Sequence, residues 1–120
     1  MKIAIIGCSG HYGMCIPKEY DKEREFVAIA PGSVGENMDG VEQRLCGLGY
    51  TPERYDDYRE MLEKEKPEIA VVDNYYGEHA PVILACFRAG CHVFAEKPAA
   101  AGIEELDCLV DAWKKAGTHP

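Results

Sequence analysis

Long apolar runs are missing from this chain of 120 residues. The longest is a few residues, too short for a helical membrane span. A basic surplus is missing as well. Lys and Arg number 13 against 21 Asp and Glu, a formal net charge of −8. That excludes a partner whose phosphate backbone must be neutralised, and an anionic membrane surface. No C-x-x-C pair occurs among Cys8, Cys15, Cys46, Cys86, Cys91 and Cys108. The four histidines, His11, His79, His92 and His119, do not join them at zinc-finger spacing. Free thiols, buried or in loops, are therefore expected; a disulfide or a metal site lacks supporting spacing. A secretory leader is not expected either. The opening Met1–Ile6 run meets glycines and a His too soon. The expectation is one soluble, cytoplasmic domain, since 47% hydrophobic and 28% charged residues form a globular balance.

What is present is alternation. Lys2–Ile6, Phe26–Ala30, Ile69–Val72 and Cys91–Ala95 are short, continuous, β-rich runs, with a weaker one near Tyr50–Thr51. Continuous rather than alternating apolarity suits strands buried on both faces of a parallel sheet. Helical patterns lie between them. Met38, Val41, Leu45 and Leu48 share one face; Tyr58, Met61 and Leu62 share another, with Asp57 as N-cap and Pro67 as stop. Residues 81–89 are apolar nearly all round and precede Gly90. Ile103, Leu106, Val110 and Trp113 form a stripe, with Glu104 and Glu105 at its start and Lys114 and Lys115 at its end. Pro17 makes the helix after Gly10 short or bent. The pattern predicts an α/β fold, five parallel strands in order 3-2-1-4-5 with helices on both faces. No strand can follow the last helix before Pro120, so an unpaired edge beside Val93 is expected, and with it self-association.

Two stretches carry candidate chemistry. The turn after the first strand reads G-C-S-G-H-Y-G over residues 7–13. Either Gly7, Gly10 and Gly13 form a variant phosphate turn, or Ser9 stands at the second glycine's place. Such a turn lets backbone approach a pyrophosphate that rests on a helix N-terminus; the alternative is a structural glycine turn. The acidic ribose reader that should end the second strand is missing from Ala28-Ile29-Ala30-Pro31-Gly32-Ser33, and Glu36 is a distant substitute. The second stretch is Glu96-Lys97-Pro98, after the last strong strand, where parallel sheets bind ligands. A Lys there can hold a hydroxyl or oxyanion, or relay its proton; the alternative is a solvated charge pair.

These residues resemble the N-terminal domain of the glucose–fructose oxidoreductase, inositol dehydrogenase and MocA (Gfo/Idh/MocA) family. The likeness runs through M-K-I-A-I-I-G, Y-D-D-Y, P-E-I-A-V-V and above all H-A-P-V-I-L-A-C-F-R-A-G-C-H-V-F-A-E-K-P. It implies a Rossmann-like domain binding NAD or NADP, in an enzyme that oxidises or reduces sugars and polyols on a second domain. By that resemblance Lys97 is the catalytic residue, contacting substrate and nicotinamide ribose. Glu96 lies near that ribose, and His79 maps to a family His at a helix start. The resemblance also implies a cis peptide before Pro98. The dinucleotide is expected across Gly7, Cys8, Ser9, Gly10, His11, Tyr12, Ser33, Asn74, Tyr75, Tyr76, His79, Glu96 and Lys97. Two departures stand out. Asp73-Asn74-Tyr75-Tyr76 replaces a Thr-Pro-Asn type turn, putting bulk over the cofactor channel, and the expectation is a dinucleotide-binding domain over 1–120 with the substrate domain absent. The expected function is the NAD(P)-binding part of an oxidoreductase, incomplete as an enzyme alone. The alternative is a non-catalytic nucleotide-binding or protein-interaction module.

Overall fold

The computed structural model describes residues 1–100 and 102–117; His119 lies outside them. The elements are β1 (Lys2–Ile6), β2 (Glu25–Ala30), α1 (Asp39–Leu48), β3 (Glu53–Arg54), α2 (Tyr58–Glu65), β4 (Ile69–Val72), α3 (His79–Arg88), β5 (His92–Ala95) and α4 (Ile103–Ala116). The strands form one parallel sheet in the order β3-β2-β1-β4-β5, as the alternation predicts.

Successive side chains of a strand face opposite ways, and the two faces build separate cores. Ile3 and Ile5 of β1 join Phe26, Ile29 and Val71 beneath Val41 and Leu45 of α1. Ala4 and Ile6 join Ala28, Ala30, Ala70 and Val72 on the other face, against Met61 and Leu62 of α2 and Val82, Ile83 and Cys86 of α3. Four of these six strand residues are alanines, which lets those helices sit close to the sheet.

One expectation is corrected: the weak strand is Glu53–Arg54, not Tyr50–Thr51. Tyr50 is drawn into the core instead: its amide reaches Leu45 O at 3.1 Å, and its ring lies 5.0 Å from Phe26. The helix after Gly10 is a single 3-10 turn, Tyr12–Cys15. Pro17 has no N–H to continue it. The chain then runs to β2 as a loop held by Ile16 in the core and by Tyr50, whose hydroxyl donates to Asp21 O at 2.9 Å. The stripe on α4 is only partly buried: Leu109 is buried, while Ile103 and Leu106 are exposed. α3 begins at His79, the helix start that the resemblance implies, and Pro81 lies in its first turn, where a proline needs no amide.

Local signals elsewhere hold. Asp57 caps α2, its carboxylate accepting from Arg59 N at 2.9 Å. Lys66 ends that helix in the left-handed region at φ 47°. Gly90 and Gly117, with φ of 83° and 69°, follow α3 and α4. Among the described residues no helix is long and apolar enough to cross a membrane.

Candidate functional site

The strand order reverses between β1 and β4, and the loops leaving the carboxyl ends of β1, β2, β4 and β5 meet there. Gly7 makes the first turn. Its φ is 89°, its amide donates to Ala30 O at 2.8 Å, and a Cβ on it would lie 2.5 Å from Asn74 N. Only glycine combines that dihedral with that approach. Gly10 is equally confined, since a Cβ there would strike the Asp73 carboxylate.

The backbone donors of this turn are spoken for within the chain. Cys8 N donates to Glu36 Oε2 at 3.1 Å, and Ser9 Oγ donates to the same oxygen at 2.6 Å. Ser9 N donates to Asp73 O at 2.8 Å, and Tyr12 N to Asp73 Oδ2 at 2.9 Å. The other Glu36 oxygen accepts from Gly32 N at 2.9 Å and Ser33 N at 2.8 Å. Ser33 in turn joins the β4 end: its Oγ accepts from Asn74 Nδ2 at 3.1 Å and Tyr75 N at 3.2 Å.

Asp73 is 1% exposed, and its Oδ1 has no hydrogen-bond partner among the described residues. Burial raises its carboxyl above the usual range; the Tyr12 and Gly10 amides pull it down, and Glu96 and Glu36 add to the rise. Glu96 moves the other way, lowered first by its hydrogen bond with His11, whose Nδ1 lies 3.0 Å from Glu96 Oε1. The carboxylate that the sequence places beside Lys97 is thus turned toward the glycine loop. Lys97 is exposed, and the peptide joining it to Pro98 is cis.

His79 is 2% exposed, and both ring nitrogens face main-chain carbonyls, Pro98 O at 2.6 Å and Asn74 O at 2.9 Å. It braces the Lys97-Pro98 turn against the end of β4. Tyr75 and Tyr76 lie on the rim, Tyr76 fully in solvent at 81% exposure. A depression of about 340 Å³ opens beside them at the ends of β2 and β3, lined by Gly32, Ser33, Glu36, Asp56, Asp57 and Arg59 among others.

All thirteen expected residues therefore lie along one edge of the sheet. Sequence reasoning discounted Glu36 and passed over Asp73. The signal for Glu36 was Pro31-Gly32 and Gly35: two glycines that let the chain double back after β2. The signal for Asp73 was a carboxylate directly after the apolar run Ile69–Val72.

In its glycine-confined first turn this edge fits a dinucleotide. It departs from the usual arrangement at the pyrophosphate, where a 3-10 turn stands in place of a helix N-terminus.

The profile of a family described as "Oxidoreductase family, NAD-binding Rossmann fold" matches residues 1–119. A myo-inositol 2-dehydrogenase of Thermotoga maritima is 31% identical over 116 residues, which is 97% of this chain and 34% of that protein. A glycosyl hydrolase family 109 protein of Akkermansia muciniphila is 31% identical over 99 residues, 79% of this chain and 21% of that protein. The chain thus spans about a third or less of these relatives' lengths. Among solved structures, an oxidoreductase of Thermotoga maritima superposes with a TM-score of 0.87 at 32% identity, covering 98% of this chain and 36% of that one. A myo-inositol dehydrogenase of Lactobacillus casei, solved with NAD(H) and myo-inositol, shares the fold at a TM-score of 0.75 and 20% identity, over 95% of this chain and 33% of that one. Strand order and a match along nearly every residue lead to one assignment: the chain belongs to the Gfo/Idh/MocA oxidoreductase family and carries its NAD-binding Rossmann fold.

Proposed function

We propose that this chain is the dinucleotide-binding part of an oxidoreductase acting on sugars or polyols, and that the groups which hold the substrate and accept its proton come from outside these 120 residues. The observation that carries the reading is Lys97, exposed at the carboxyl end of β5 and next to the glycine turn through the Glu96–His11 pair. The names of the relatives, a myo-inositol 2-dehydrogenase among them, support the substrate class.

A bound nicotinamide would supply the hydride acceptor. This chain's own residues supply placement. Gly7 and Gly10 allow close backbone approach, and Lys97 offers a cation to a substrate hydroxyl or a developing oxyanion. His79 fixes the turn that presents Lys97. Orientation of reacting groups can be worth roughly 7–11 kcal/mol of barrier. One lysine on an open edge does not provide it alone.

The experiment is titration of the chain with NADH, followed by nicotinamide fluorescence, with an assay against sugars and polyols beside it. Binding without turnover is expected. Turnover lost in Lys97→Ala would show that the site is complete, and absence of binding would overturn the reading. A second reading, a binding module without catalysis, is favoured by one observation: Glu36 and Asp73 already occupy the donors of the glycine turn.

A further inference from the structure

Two carboxyl groups meet beside Gly10. A Cβ there would strike Asp73 Oδ1 and lie 3.3 Å from the Glu96 carboxyl carbon. Their surroundings differ. Glu96 is paired with His11, which lowers its carboxyl. Asp73 is 1% exposed, and among the described residues no ion pair includes it. Its Oδ2 accepts from Tyr12 N, while its Oδ1 is buried without a partner. A buried carboxylate oxygen that accepts nothing is costly, and a neutral carboxyl group costs far less there. Neighbouring acids whose settings differ in this way take opposite protonation states. The titratable groups that face Asp73 do not supply a countercharge. Cys8 and Cys15 come from the loop after β1, and Glu36 from the loop after β2. Glu96 comes from the end of β5, with His11 bonded to it. None of these is a lysine or an arginine. His79 acts on Glu96 and turns both ring nitrogens to main-chain carbonyls.

We propose that the glycine turn takes up a proton together with the dinucleotide's pyrophosphate, and that Asp73 holds this proton on Oδ1. The inference rests on the dinucleotide reading above and adds the regulation of that site. A pyrophosphate seated on the turn from Gly7 to Tyr12 brings its negative charge close to Asp73, whose carboxylate is bonded to that turn. Glu36 and Glu96 are already bonded to the same turn, at Cys8, Ser9 and His11. A further anion favours the neutral form of a buried acid, as a like charge does in a carboxylate pair. The neutral form does not cost the turn its anchor, because Oδ2 goes on accepting from Tyr12 N. The turn thus changes charge while it keeps its shape. Linkage makes the effect reciprocal: a ligand that draws a proton to Asp73 is itself held more tightly by that proton. Affinity for the dinucleotide therefore rises as pH falls, until Asp73 is already protonated in the free chain. Burial, which raises the Asp73 carboxyl, moves this rise above the usual carboxylate range. His11 is the rival proton acceptor, exposed and bonded to Glu96.

The test is calorimetric titration of the chain with NAD, from neutral pH downward, in buffers of different ionisation enthalpy. The dependence of the heat on the buffer gives the protons taken up for each NAD bound. The unaltered chain should take up a proton over part of this range. There its affinity should rise by up to about tenfold for each unit that pH falls. Asp73→Asn keeps an oxygen for Tyr12 N and should bind NAD without that uptake. His11→Gln should retain it. Circular dichroism confirms that each variant is folded. If the asparagine variant does not fold, the unaltered chain carries the test. Its Asp73 carboxyl carbon, followed by NMR, should titrate at higher pH with NAD bound than without. NAD binding without proton uptake overturns this inference alone. So does uptake that survives in Asp73→Asn, uptake that disappears in His11→Gln, or an Asp73 titration that NAD does not move. No NAD binding by the unaltered chain at any pH overturns it together with the function proposed above.

Discussion

Asp73 lies directly under Gly10. One of its carboxylate oxygens holds the Tyr12 amide at 2.9 Å, and the other occupies the space where a Cβ on Gly10 would have to go. The glycine turn is thus closed from below by a buried acid, and this has a consequence for stability.

Burial holds the Asp73 carboxyl above its usual range. A group raised on folding contributes fully below its unfolded pKa, and that contribution is lost as pH rises through the folded value. As Asp73 ionises on the way up in pH, its charge therefore works against folding. Asp73→Asn keeps an oxygen for the Tyr12 amide and removes the charge that faces Glu36 and Glu96. Its melting temperature relative to the unaltered chain should rise as pH is taken up from the usual carboxylate range. A difference that is flat or falling with pH would refute this.

Gly7 and Gly77 have nearly the same φ, 89° and 86°, but only Gly7 has backbone within reach of an added Cβ. Alanine at Gly77 should cost the dihedral strain alone, about 1–3 kcal/mol. Alanine at Gly7 must also displace the β4 end, and should cost at least about 2 kcal/mol more. Urea unfolding of the two variants makes the comparison, and equal losses would contradict it.

The C-cap of α2 is a lysine in a glycine's conformation, Lys66 at φ 47°. Lys66→Gly relieves left-handed strain and gives part of it back as unfolded-chain entropy. A net gain of up to about 1 kcal/mol is expected in the same urea assay. A net loss would show that the lysine side chain itself contributes there.

The six thiols fall into three pairs. Cys46 and Cys108 are exposed, Cys8 and Cys15 are half-buried, and Cys86 and Cys91 are buried. Burial raises the Cys8 and Cys15 thiols, with Glu36 and Asp73 respectively adding to it. Burial pushes Cys91 up to about 11 and Cys86 higher still. Titration with a disulfide reagent at neutral pH should show two rapid groups, two slow ones, and two that react only after denaturation. Rapid reaction of four or more in the native protein would be inconsistent with this packing.

Much of this architecture can be read from residue pattern because buried parallel strands demand it. Runs such as Ile3-Ala4-Ile5-Ile6 and Ala70-Val71-Val72 leave no face for water, and crossover rules then settle their order. The element that escaped, Glu53–Arg54, is two exposed charged residues whose pairing depends on the neighbouring strand. Tyr50 misled for the opposite reason: its β propensity was overridden by a place in the core. At the candidate site, glycines and Lys97 are marked by local spacing. Glu36 is not, because its reach back to Cys8 and Ser9 depends on the dihedral at Gly35, which no spacing rule reports.

The central position of β1 ties the order of synthesis to the order of burial. Its two partners are residues 25–30 and 69–72, so one side of the first strand stays unpaired until residue 72 has emerged. At roughly 5–20 residues per second, that leaves Ile3 to Ile6 half-covered for seconds. The loop in place of a first helix leaves the α1-side face of that strand to Cys8, Tyr12, Cys15 and Ile16 until α1 docks. A nascent chain arrested short of β4 should therefore be the form that chaperones hold and proteases find first.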